Sequence, residues 1–68
     1  MSSNVEMLRC AERELKMRKS VYPRWVAQKR MSVVQSDFEI RTMEDVVEHF
    51  RKLVDAEQRD LFTGEGLS

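Results

Sequence analysis

The chain has 68 residues, of which 41% are hydrophobic and 35% charged, with twelve Lys/Arg balanced by twelve Asp/Glu. That length allows one domain at most, and a chain this short buries little core without a disulfide, a metal or a partner. Cys10 is the only cysteine, which excludes an intrachain disulfide and a zinc cluster and fits a reducing, cytoplasmic setting. No apolar run is long enough to span a membrane, and Met1–Asn4 lacks the basic-then-apolar pattern of a secretion signal. With two glycines and one proline, the composition favours surface-exposed helices over sheet or disorder.

Charge is unevenly placed. Residues 1–31 hold eight Lys/Arg and three Asp/Glu, about +5, whereas residues 32–68 hold four and nine, about −5. Either the two halves lie against each other, or the basic half faces something anionic.

The first element opens at Ser3-Asn4-Val5-Glu6, a capping box in which a serine hydroxyl and a glutamate three residues later satisfy free N–H groups. Leu8, Ala11, Leu15, Tyr22 and Trp25 follow at alternating spacings of three and four, with Arg18 interrupting the series and Met7 and Val26 widening it. This is one apolar face of an amphipathic helix. Pro23 lacks an N–H and crowds the preceding turn, at a cost of roughly 3 kcal/mol in a helix interior. A kink or short break near Ser20–Tyr22 is therefore expected. The helix is expected to cover residues 4–30 and to end at Lys29-Arg30, where cations suit the dipole.

A second capping box, Ser32-Val33-Val34-Gln35, starts a longer helix, expected over residues 33–57. Ile40, Met43, Val47, Phe50, Val54 and Leu61 mark a heptad-like series interrupted by Ser36 and Glu57, with Phe38, Val46 and Leu53 beside it. A link of about one to three residues around Met31-Ser32 makes the helices antiparallel neighbours. The fold expected is all-α: an antiparallel helical hairpin over residues 1–57, its first helix kinked near Pro23. Two helices cannot cover faces this wide, so pairing of two hairpins into a four-helix bundle is a further expectation. Residues 58–68 read as a C-terminal peptide and tail, with Gly64 and Gly66 as stop signals.

Two resemblances follow from these residues. The run Glu14-Leu15-Lys16-Met17-Arg18-Lys19-Ser20-Val21-Tyr22-Pro23-Arg24-Trp25-Val26, with Met31-Ser32, Glu39-Ile40, Met43-Glu44 and Val47 behind it, resembles a motif of small bacteriophage and prophage helical proteins. It covers residues 12 to 51. A glycine often precedes the basic residue before the turn in that group, and here Lys29 holds the place. The resemblance implies a phage-encoded accessory protein in the cytoplasm of a bacterial host cell and carries no established activity. Gln58-Arg59-Asp60-Leu61-Phe62 resembles the pentapeptide by which bacterial replication and repair proteins dock on the DNA sliding clamp, with Arg59 in place of the usual Leu. That resemblance implies Leu61 and Phe62 in an apolar pocket, with the Gln58 amide and Asp60 at its rim. The consequence would be altered or inhibited host replication. The bland alternative is that Leu61 continues the apolar stripe and Phe62 caps the open end of the hairpin.

Other features point to partners rather than chemistry. Tyr22, Arg24 and Trp25 have the composition of a protein-binding hot spot, against the simpler reading that they plug the closed end near Val33 and Val34. The basic first helix suggests a nucleic-acid-binding regulator, although no helix-turn-helix, zinc or RNA-binding signature accompanies it. A purely structural oligomerising module is the third reading. His49 falls off the apolar series, and Cys10 has no activating base or oriented helper. Carboxylates follow solvent-face spacing, and no glycine-rich phosphate loop occurs. No enzymatic activity, cofactor or metal is therefore expected.

Overall fold

The computed structural model describes the backbone of residues 2–67 and the side chains of residues 2–59. It contains two helices, α1 (Asn4–Ala27) and α2 (Val33–Leu67). They pack antiparallel as the expected all-α hairpin, and there is no strand among the described residues.

Both helix starts follow from their caps. The Glu6 N–H donates to Ser3 Oγ at 3.1 Å, and the Ser3 hydroxyl donates to Glu6 Oε1 at 3.2 Å. In α2 the Gln35 N–H donates to Ser32 Oγ at 3.0 Å. Each serine satisfies a backbone donor that the first helical turn leaves without a partner.

The helix ends differ from expectation. α1 stops at Ala27 rather than Arg30 because Lys29 takes a positive φ of 59°. The Lys29 N–H donates to the Val26 carbonyl at 3.0 Å and the Arg30 N–H to the Trp25 carbonyl at 2.8 Å. This is the Schellman pattern, in which a left-handed residue closes the helix; the position usually belongs to glycine. The connection therefore spans residues 28–32, longer than the one to three expected. α1 also passes through Ser20–Tyr22 without a break, with Pro23 inside the helix. A proline inside a helix forfeits one backbone hydrogen bond and bends the helix more readily than it ends it. At the other end, α2 continues past Glu57 to Leu67. Gln, Arg, Asp, Leu and Phe at 58–62 all tolerate helix, and a glycine costs only about 1 kcal/mol, too little to force a stop.

The seam is thin. Ala11, Val47 and Val54 are its only buried apolar residues among those described, and no side chain there is fully buried. Ser36 is also buried, at a seam position where a small residue lets the helices approach. No helix among the described residues is long and apolar enough to cross a membrane.

Candidate partner-binding surfaces

Arg18, which interrupts the apolar series, lies in the seam and bridges the helices. Its Nε donates to Glu14 Oε1 at 2.9 Å, and its Nη1 donates both to Glu39 Oε2 at 3.2 Å and to the Glu39 carbonyl at 3.0 Å. The guanidinium also sits 5.9 Å from the Tyr22 ring centre. Its pKa is raised, chiefly by the hydrogen bond to Glu14, against an opposing effect of burial. Arg18 is thus a fixed cation that the sequence pattern alone marks as a defect.

Two further ion pairs cross between the helices, Lys19–Glu44 at 3.3 Å and Glu12–Arg51 at 3.1 Å. They set the register and line one broad face of the hairpin. Lys52–Glu48, at 3.9 Å, lies along α2. Part of the charge division is therefore absorbed between the arms.

The opposite broad face is apolar. Met7, Cys10, Ala11 and Glu14 of α1 and Met43, Val46 and Phe50 of α2 line one shallow groove of about 310 Å³. Exposed Met17 lies further along α1 and exposed Leu53 further along α2. Met7, Val46 and Leu53, expected to broaden a single stripe, instead belong to a second surface beside the seam. Their second surface is visible in the spacing, since Met7, Cys10, Glu14, Met17 and Val21 repeat the three-four alternation beside the seam.

The Tyr22-Pro23-Arg24-Trp25 group is partly drawn together. The Tyr22 and Trp25 rings stack with centroids 5.5 Å apart and planes 26° from parallel. Tyr22 is half-buried, while Arg24 and Trp25 are exposed. Val33 and Val34 do not receive them as a plug: Val34 is 79% exposed, and Phe38, expected to widen the apolar face, is 68% exposed. Both lie on the outer side of α2, away from α1, because the register places Ser36 and Ile40 on the seam.

Arg9, Arg13, Lys16 and Arg24 are exposed on the outer side of α1, within an arc of about 80° at 100° per residue. None of them is in an ion pair among the described residues. Cys10 is free and exposed, and His49 is exposed with its ring edge-on to Phe50 at 5.3 Å. No cluster of three metal-ligating side chains occurs among the described residues.

The segment Gln58–Phe62 lies at the far end of α2. The Asn4 side-chain amide donates to the Glu57 carboxylate, so the start of α1 is level with Glu57. The part of α2 beyond it, residues 58–67, runs on for about 15 Å past the first turn of α1. Gln58 and Arg59 are exposed. The side chains of Asp60, Leu61 and Phe62 fall outside those described.

Comparison of the chain with protein-family models, curated proteins and solved structures finds no match in any of the three.

Proposed function

We propose that this chain is a phage-type accessory protein, non-enzymatic, that acts in the bacterial cytoplasm by binding a host protein, the DNA sliding clamp foremost. Gln58, Leu61 and Phe62 make the contact and Asp60 takes a polar position at the pocket rim. The supporting observation is the place of the pentapeptide: it lies on the part of α2 that projects beyond α1, with Gln58 and Arg59 exposed.

Docking in extended form requires the end of α2 to unwind, which lowers the apparent affinity by the fraction of chains already unwound. Gly64 and Gly66 reduce that cost, since each is about 1 kcal/mol poorer than alanine in a helix. Titration calorimetry of the chain with purified clamp tests the proposal. Binding is expected, and it should vanish when Leu61→Ala and Phe62→Ala are combined. An absence of binding by the wild-type chain, or binding unchanged in the double variant, would falsify it.

A second reading is favoured by the outer side of α1. Arg9, Arg13, Lys16 and Arg24 are spread along about 22 Å of helix with no ion-pair partner among the described residues. Such a stripe suits a phosphate backbone, and affinity would then fall steeply with salt. Arg24→Glu should weaken it and leave clamp binding intact.

A further inference from the structure

We infer that the apolar broad face of the hairpin is a homodimer interface, closed by a second copy of this chain into a four-helix bundle with α1 beside its partner's α2.

The inference starts from the asymmetry between the two broad faces. Each helix carries a second three-four series flanking the seam. On one side these series hold Glu12 and Lys19 of α1 and Glu44 and Arg51 of α2, which are already ion-paired across the hairpin. On the other side they hold Met7, Cys10 and Met17 of α1 and Met43, Val46 and Phe50 of α2. A two-helix protein that exists alone needs only the seam; a helix in a four-helix bundle needs an apolar stripe toward two neighbours.

Carboxylates interrupt the second series at Glu14 and Glu39, and both are held by Arg18, at 2.9 and 3.2 Å. The seam arginine thus draws back the two anions that would otherwise oppose closure of this face. Phe38, Val33 and Val34 are apolar and exposed too, but they cluster at the turn and form no continuous stripe.

Size supports a second copy as the occupant. The hairpin is about 19 Å wide, and α1 runs about 36 Å. A face of those dimensions covers roughly 700 Å² per copy, or about 1,400 Å² for the pair, inside the range of stable specific interfaces.

Charge selects the arrangement. α1 holds six Lys/Arg and three Glu, net +3; residues 33–59 of α2 hold four Lys/Arg and seven Asp/Glu, net −3. A two-fold axis running along the helices puts each α1 against its partner's α2, so every neighbouring pair of helices is antiparallel and opposite in charge. The other two-fold, across the helices, would set α1 on α1 and α2 on α2, like charge on like.

The inference is independent of the tail: Gln58–Phe62 lie beyond this face, and the test contains no clamp. Equilibrium sedimentation of the full chain is expected to give twice its 8.1 kDa mass. Cys10, exposed in the single hairpin and the only thiol, reports on the face itself. Its rate of reaction with a thiol reagent should fall by an order of magnitude as the protein is concentrated from nanomolar to high micromolar. Val46→Glu, which places a charge in the middle of the face, should return the mass to that of one chain and restore the fast thiol reaction at all concentrations. A wild-type mass of one chain up to millimolar concentration overturns the inference. So does a dimer in which the Cys10 rate is independent of concentration, or a Val46→Glu chain that dimerises as the wild type does.

Discussion

Replacing Arg18 in two different ways separates what its charge contributes from what its hydrocarbon stem contributes. Arg18 is only 18% exposed in its side chain, but its carboxylate partners, Glu14 and Glu39, are 37% and 36% exposed. Ion pairs to groups this open to water contribute roughly 0.5 kcal/mol each, well below the buried limit. The bond to the Glu39 carbonyl adds about 1 kcal/mol, and the stem packed in the seam roughly another 1 kcal/mol. Arg18→Ala loses all of these and should destabilise by about 2–3 kcal/mol. Arg18→Met keeps most of the stem. It loses the same polar contacts as Arg18→Ala, so it should destabilise by about 1–2 kcal/mol, less than alanine by the contribution of the stem. Urea unfolding followed by far-ultraviolet circular dichroism measures both, at one fixed protein concentration because any self-association adds to stability. With a slope near 1 kcal/mol per molar urea, the two midpoints should differ by about 1 M. Equal losses for Arg18→Met and Arg18→Ala would refute the reasoning, because the stem would then contribute nothing to the seam.

Three further outcomes follow from the same structure. Lys29→Gly should stabilise the chain by about 1 kcal/mol, because glycine adopts the left-handed region without the side-chain clash; a lower thermal midpoint would contradict the Schellman closure of α1. Ser36→Leu should destabilise by about 1–3 kcal/mol through overpacking of the seam near the turn, seen as a lower urea midpoint, and an unchanged midpoint would mean that the helices do not approach there. Ser3→Ala should cost about 1 kcal/mol with the seam unaltered, and thermal unfolding that is the same for both chains would show that the cap does not hold α1.

Helix starts were legible because a cap is made within four residues: Ser3 with Glu6, and Ser32 with Gln35. The end of α1 was misjudged because its left-handed residue is a lysine, and nothing in a lysine signals positive φ. The end of α2 was misjudged because Gly64 and Gly66 are weak breakers once a long helix has already formed. For the pentapeptide, its position was legible and its backbone state was not, since the same residues satisfy both a helix and an extended ligand.

What the amino-acid order determined alone was therefore the local and periodic content: two amphipathic helices, their starts and, from their close succession, the antiparallel hairpin. Tertiary structure decided the rest. Arg18 reads as a break in a stripe until α2 is placed beside it and Glu39, far along the chain, becomes its partner. Periodicity likewise merges the seam with its flank, because both repeat at the same spacing on one helix. Only the register fixed by Lys19–Glu44 and Glu12–Arg51 separates the apolar residues that face the other helix from those left on the open side. The period of a helix states which residues share a direction; which direction is covered depends on where the second helix lies.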